Sequence, residues 1–257
     1  MNRRLLVTGG TGYLGRAVAD RAAAAGWDVV AVGSGDADIR HRHAIVDLFR
    51  EAAPSAVVHT AYRRDGPAAR EVIVHGTANV AEAAHAAGAR LVHVSTDVVF
   101  DGRAGRPYRE TDPPTPITDY GRAKATSEHL ARTLAPSSLV VRTSLLYGGP
   151  GRLPSTHEQA AHDPAATFYV DEVRCPIQVD DLAAALVELA QSDVTGTLHV
   201  AGPEALTRQQ FAELITGRAV RGGPAPAGRP LDCRLDSSRA TGLLATVLRG
   251  VSDVYQP

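Results

Sequence analysis

The sequence predicts an α/β protein built on a doubly wound parallel sheet. Three observations carry that expectation. Short apolar runs alternate with helical stretches through Tyr147, each run is nearly continuous in its apolar character, and a glycine-rich turn joins the first run to the first helix. The runs are Arg4–Thr8, Asp28–Val32, Ala56–Thr60, Arg90–Ser95 and Ser138–Arg142. Strands buried on both faces lose the polar alternation of a half-exposed sheet, which is why continuous Val, Leu and Ala point to parallel pairing. Helices fit between them at Tyr13–Ala25, Arg42–Ala52, Ala68–Ala87 and Asp119–Leu134. Gly26 and Gly88 follow two of these, where a left-handed residue commonly ends a helix. Such strand-helix alternation leads to a sheet with right-handed crossovers.

The texture changes after Tyr147. Gly148-Gly149-Pro150-Gly151 opens a loop, and residues 152–167 are polar with little periodicity. Ile177-Gln178-Val179, a helix at Asp180–Ala190 and a strand at Thr197–Ala201 resume the pattern. Thr207 reads as the N-cap of a helix reaching about Ile215. The Gly/Pro-rich residues 217–230 read as loop. The expected division is a dinucleotide-binding core over residues 1–147 and a second part over 148–257, which returns to the sheet and forms a small substrate-covering lobe.

Composition narrows the function classes. The chain has 257 residues, 44% hydrophobic and 21% charged, with a net charge of −1. That balance offers no electrostatic attraction for nucleic acid or an anionic membrane. No apolar run approaches a membrane span, and the N-terminal apolar run is too short for a signal peptide. Cys175 and Cys233 have neither metal spacing nor a disulfide framework. The expected location is the cytosol, and no metal is expected.

The turn Thr8-Gly9-Gly10-Thr11-Gly12-Tyr13-Leu14-Gly15 has the context a dinucleotide fingerprint needs, after a strand and opening a helix. Gly9 permits the tight turn, Gly12 lets backbone approach a pyrophosphate, and Gly15 lets helix pack on strand. The first turn of the helix, with Tyr13 and Leu14, offers N–H groups to phosphate. At the end of the second strand, Val32-Gly33-Ser34-Gly35-Asp36 has no acid at the strand tip for a ribose 2′-hydroxyl. Ser34, with Arg16 or Arg40, would suit a 2′-phosphate, so NADP is favoured over NAD, which Asp36 would serve by shifting into place. Asp38-Ile39 reads as the pair beside adenine.

Tyr120-Gly121-Arg122-Ala123-Lys124 places a phenol and an ammonium four residues apart on one helix, hence on one face. A neighbouring positive charge favours the phenolate and tunes the tyrosine for proton transfer at a carbonyl or alcohol.

With these motifs placed, the chain resembles the extended short-chain dehydrogenase/reductases, and within them most closely the dTDP-4-dehydrorhamnose reductase family. Ser95-Thr96-Asp97-Val98-Val99-Phe100-Asp101-Gly102, Tyr120–Lys124, Val141-Arg142-Thr143-Ser144-Leu145-Leu146-Tyr147 and Leu235-Asp236-Ser237-Ser238-Arg239 are each similar to a segment of that family. The resemblance implies a Rossmann domain, a nicotinamide cofactor and reduction of a 4-keto nucleotide sugar. It implies Tyr120 as proton donor, Lys124 as its tuning cation and a cofactor-ribose ligand, and Thr96 as hydrogen-bond donor to the substrate carbonyl. Thr60-Ala61-Tyr62, Ser95, Thr143 and Ser144 would border the cofactor. Asp97, Val98 and Leu145 would border the substrate. His59 stands where the family has asparagine, as a packed strand-end residue or a site residue. His75 stands where relatives often carry asparagine. Val98 and Leu145 replace a tyrosine and a tryptophan of the family, so the stacking surface of the usual sugar is absent. By analogy with the family, the resemblance implies a homodimer. Two other functions compete. A sugar-nucleotide epimerase would share Thr96, Tyr120 and Lys124, and a non-catalytic dinucleotide-binding regulatory subunit would not need them.

Overall fold

The computed structural model describes residues 3–255. In chain order the elements are β1 (Arg4–Thr8), α1 (Tyr13–Ala24), β2 (Asp28–Val32), α2 (Arg42–Ala52), β3 (Ala56–His59), α3 (Ala69–Glu71), α4 (Thr77–Ala86), β4 (Arg90–Thr96), α5 (Asp119–Leu134) and β5 (Leu139–Thr143). There follow β6 (Leu146–Tyr147), α6 (Thr156–Ala161), β7 (Phe168–Tyr169), β8 (Val173–Arg174), β9 (Ile177–Gln178), α7 (Val179–Leu189), β10 (Gly196–His199), β11 (Leu206–Thr207), α8 (Arg208–Thr216), β12 (Gly222–Gly223), α9 (Ser238–Leu243) and α10 (Val251–Val254).

A six-stranded, mainly parallel sheet runs in the order β10-β5-β4-β3-β1-β2. β1 pairs in parallel with β2 and β3, and β3 with β4. This is the expected doubly wound α/β fold. The strand ends differ from the sequence reading by a residue or two, within the ordinary fraying of such boundaries. The expected continuous helix over 68–87 contains a π-helical stretch at Val72–Gly76 between α3 and α4. The polar stretch 152–167, with little periodicity in its sequence, holds α6. Its signal was present: Ser155 and Glu158 form a capping box, Ser155 N donating to the Glu158 carboxylate and Glu158 N to Ser155 Oγ. The 217–230 loop contains one short pairing, Gly222–Gly223 with Phe168–Tyr169. Thr207 caps α8 as expected, accepting from Gln210 N.

The chain divides into two compact units. The first holds the residues to Ser95, with Arg122–Val141 and Ala183–Leu198. The second holds Thr96–Gly121, Arg142–Leu182 and the residues from His199. The first unit's core joins Leu6, Val32, Ile39, Ile45, Phe49, Val57, Val80 and Leu91. Four of these lie on strands and four on helices or the loop before α2, so one apolar layer of helix closes on one face of the sheet. In the second unit Tyr147, Phe168, Phe211, Ile215 and Val251 form a core of their own, with Leu145 and Tyr255 packed against it. There Glu158 accepts hydrogen bonds from Gly148 N, Gly149 N and the Tyr255 hydroxyl, so one buried carboxylate joins the loop after β6 to the end of the C-terminal helix.

Helix ends show where backbone conformation, not packing, governs. Gly26 ends α1 at φ +80° with open space where a Cβ would be. Ala53 ends α2 at φ +40°, a left-handed position costing a residue with a Cβ about 1–2 kcal/mol. The two positions predict opposite signs. Gly26→Ala should lose about 1 kcal/mol and Ala53→Gly should gain a fraction of that, because glycine's extra unfolded-state freedom offsets part of the relief. Urea unfolding of both variants measures the difference.

Candidate active site

The glycine turn is fixed by backbone contacts that leave no room for side chains. Gly10 N donates to Val32 O at 2.8 Å and Gly12 N to Gly9 O at 2.9 Å. Gly9 sits at φ +76°, and a Cβ there would lie 2.7 Å from the Ala61 backbone. A Cβ on Gly15 would collide with the Gly9 carbonyl. Thr60 Oγ1 donates to Thr8 O at 2.9 Å. The structure thus brings Thr60 and Ala61 against the turn. Gly12 is the N-cap of α1 and no side chain caps that helix. A helix N-terminus without a side-chain cap is a ready site for phosphate. Leu14 is buried, Tyr13 half-buried and Tyr62 exposed.

Beyond β2, the candidates sort themselves by hydrogen bonding. Asp36 accepts the Gly33 N–H at 2.8 Å and is thereby held at the turn. Ser34 and Arg16 are exposed. Arg40 is engaged by Asp38 through Nε and Nη2, and Asp38 is held down at about 2 chiefly by that side-chain hydrogen bond. Ile39 is buried in the core, and Asn79 Nδ2 pins its carbonyl at 2.8 Å.

Tyr120 and Lys124 lie on α5, one turn apart. Lys124 is 4% exposed, and its Nζ donates to Val94 O at 2.7 Å. Burial pulls its pKa down to about 8, against an opposing pull from Glu128. Around it lies a polar cluster that sequence reading did not assemble. Ser95 Oγ donates to the Glu128 carboxylate at 2.6 Å, and Glu128 is fully buried. Ser127 Oγ lies 3.0 Å from His93 Nε2. His59 and His93 stack at 5.1 Å, and His59 lies between Thr8 Oγ1 and Thr77 Oγ1 at 2.6 and 3.1 Å. His59 is therefore packed under the strand ends, with its pKa lowered to about 3, first by burial and then by the Lys124 charge. His75 is exposed. The available signal was two histidines at the ends of apolar runs, Val57-Val58-His59 and Leu91-Val92-His93.

In the second unit, Thr96 Oγ1 caps the short 3₁₀ turn Asp97–Val99 and donates to Asp97 Oδ1 at 3.2 Å. Ser144 Oγ donates to Asp97 Oδ2 at 2.6 Å and accepts from Cys175 N. Arg174 Nε stands 3.5 Å from the same carboxylate. Three predicted residues, Thr96, Asp97 and Ser144, thus form one hydrogen-bonded set. Arg174 belongs to it and was not foreseen. Desolvation raises the Asp97 pKa, with Arg174, Ser144 and Thr96 working in the other direction. Thr143 is 5% exposed, and its Oγ1 has no hydrogen-bond partner among the described residues. Val98 and Leu145 are half-buried. A Cβ on Gly121 would collide with the Val98 carbonyl, which explains the glycine beside Tyr120. Cys175 and Cys233 are buried free thiols. Among the described residues no group of three or more His, Cys, Asp or Glu is arranged to hold a metal ion, and no helix is long and apolar enough to cross a membrane.

A fold of this kind with glycine turn, Thr96 and the Tyr120–Lys124 helix defines an extended short-chain dehydrogenase/reductase. The chain belongs to the family described as the RmlD substrate binding domain, whose model matches residues 3–250. It is 33% identical over 281 residues to a dTDP-4-dehydrorhamnose reductase of Mycolicibacterium smegmatis, covering 100% of this chain and 85% of that protein. It is also 30% identical over 271 residues to methionine adenosyltransferase 2 subunit beta of Pongo abelii, covering 90% and 81%. Its fold matches a dTDP-4-dehydrorhamnose reductase from Bacillus anthracis, solved in complex with NADP, at a TM-score of 0.89 and 24% identity, over 100% of this chain and 97% of that one.

The Asp97 set predicts a pH-dependent cost. Because the folded pKa lies above the unfolded value, the folded state binds the extra proton, and stability falls as pH rises through that interval. Ser144→Ala removes a donor to the carboxylate and raises the folded pKa further. The variant should lose about 1–3 kcal/mol at pH 8 and less at pH 4, toward which the carboxyl takes up its proton. Denaturant unfolding at the two pH values checks it.

Proposed function

We propose that this protein is an NADP(H)-dependent ketoreductase acting on a keto group of a nucleotide-activated deoxysugar or a related metabolite. The observation that carries the reading is the buried Lys124, one helical turn beyond Tyr120, with its pKa drawn down to about 8. A cation in that position favours the Tyr120 phenolate, so the phenol gives up its proton readily to an oxygen that is gaining charge. The Thr96 hydroxyl, which donates its one proton to Asp97 in the free protein, turns that proton to the substrate carbonyl and keeps it polarised.

When bound, the dinucleotide supplies the hydride. The residues present fit it. The turn at Gly9, Gly12 and Gly15 is a cradle that any Cβ would fill, the α1 amides lack a side-chain cap, and Thr143 Oγ1 is an orphaned buried hydroxyl. Tyr13, Leu14, Thr60, Ala61, Tyr62, Ser95, Thr143 and Ser144 complete the proposed cofactor site, with Asp38 and Ile39 toward adenine. NADP is preferred over NAD because Asp36 is committed to the Gly33 amide, while Ser34 and Arg16 are exposed for a 2′-phosphate. Of residues 148–257, those outside Ala183–Leu198, which belongs to the first unit, supply the substrate-covering lobe. Asp97, Val98 and Leu145 border the sugar, and two aliphatic side chains there take a sugar that does not depend on aromatic stacking. The same reading places the protein in the cytosol, as a homodimer.

One observation favours a second reading. Similarity to a protein named as a subunit, methionine adenosyltransferase 2 subunit beta, extends over most of the chain, which supports the reading as a regulatory subunit. An epimerase stands third, and it returns its hydride to the substrate.

Turnover of wild type and of Tyr120→Phe, taken together, separates these. Under the reductase reading, kcat for NADPH oxidation with a 4-keto sugar nucleotide falls about 100- to 10,000-fold while NADPH affinity is unchanged. Wild-type protein that binds NADPH and consumes none with any such sugar would establish the subunit reading instead. Sugar conversion with no net NADPH loss would establish the epimerase.

A further inference from the structure

The ammonium of Lys124 is buried, and burial alone drives such a group to its neutral form. Reaction at Tyr120 requires it charged, so something must hold the proton. The groups around it are few. His59 on β3 and His93 on β4 are buried, both with pKa lowered by desolvation and by the Lys124 charge itself, so neither brings negative charge. Val94 O accepts from Nζ but carries only a partial charge. Tyr120 precedes it by one turn of α5. The one carboxylate in the cluster is Glu128, one turn further along the same helix.

Glu128 is placed with care. It is 0% exposed. Ser95 Oγ donates to it at 2.6 Å, and Arg132 Nη1 stands 4.0 Å away. Ser95 itself adjoins Thr96, so the residue that orients the carboxylate belongs to the same strand end as the proposed carbonyl-binding threonine. Ser127 Oγ donates to Lys124 O at 2.8 Å and reaches His93 Nε2, which fixes the helix backbone between the two charges.

We propose that Glu128, oriented by Ser95, is a positioning residue for the reaction: its buried carboxylate holds Lys124 as an ammonium beside Tyr120. This rests on the reductase reading for its catalytic consequence, but the charge coupling is a property of the fold. Glu128 touches neither substrate nor cofactor and acts through Lys124.

Glu128→Gln is the test, because glutamine keeps an oxygen for the Ser95 bond and loses the charge. Two measurements on the full chain read it. In thermal unfolding, the folded pKa of Lys124 lies below its unfolded value, so the folded state binds fewer protons between them and stability rises with pH across that interval. Removing Glu128 lowers the folded pKa further. The melting-temperature deficit of the variant against wild type is expected to be largest below pH 7 and to shrink toward a constant by about pH 9.5, where Lys124 is neutral in both folded proteins. In turnover, the alkaline limb of kcat/KM against pH is expected to move down by about one pH unit, with Glu128→Asp keeping most of the wild-type profile.

A deficit that is the same at both pH values, or an alkaline limb that does not move in a folded variant, overturns the proposal and leaves Glu128 a packing residue. Should the variant not fold at neutral pH, recovery at pH 9.5 supports the coupling, and failure at both counts against it. If wild type turns over no substrate, the reductase reading fails while the melting comparison still decides the role of Glu128.

Discussion

A single buried ammonium organises much of the first unit. An isolated charge taken out of water is expensive, and a folded protein meets that cost with partners or by neutralising the group. Around Lys124 the chain does both in part. A backbone carbonyl accepts from Nζ, a buried carboxylate sits one turn away, and two histidines that would add positive charge are held neutral. Each partner has its own support: Ser95 for Glu128, Ser127 for His93, Thr8 and Thr77 for His59. The cluster draws on β1, β3, β4, α4 and α5, so one charge on one helix constrains five elements.

The second unit repeats the principle with the sign reversed. Asp97 is a buried acid, and Arg174, Ser144 and Thr96 oppose its desolvation. Arg174 is 2% exposed and donates to the carbonyls of Val173, Pro230 and Leu231, while Glu172 and then Arg229 continue the run of alternating charge. The arginine thereby ties the segment around Pro230 to the short 3₁₀ turn after Thr96. Fixed donors and acceptors of this kind suit a site in which charge develops during reaction, because their reorganisation has been completed in folding.

Between fold and chemistry stands the glycine turn. Its conformation is enforced by backbone meeting backbone: Gly9 against Ala61, Gly15 against Gly9. Such contacts are why glycine is needed there, and no side chain caps α1. Gly121 follows the same logic beside Tyr120, where the Val98 carbonyl occupies the space of a side chain.

The local patterns were sufficient for the fold class and the glycine turn, because both depend on neighbours close in sequence. Apolar runs of five residues, helix-ending glycines and a Tyr–Lys spacing of one turn are properties of short segments. Even α6 was legible in the Ser155–Glu158 capping box. What sequence left open is what depends on residues far apart. His93 and Glu128 are 35 positions apart, Asp97 and Arg174 are 77, and nothing in their spacing announces a partnership. Whether His59 was packing or site, whether Asp36 was free to move, and which carboxylate faces Lys124 were decided when strand and helix closed. Tertiary structure alone determines how much water a charged group loses and which distant group compensates it, and that balance, rather than the identity of the residues, sets their chemistry.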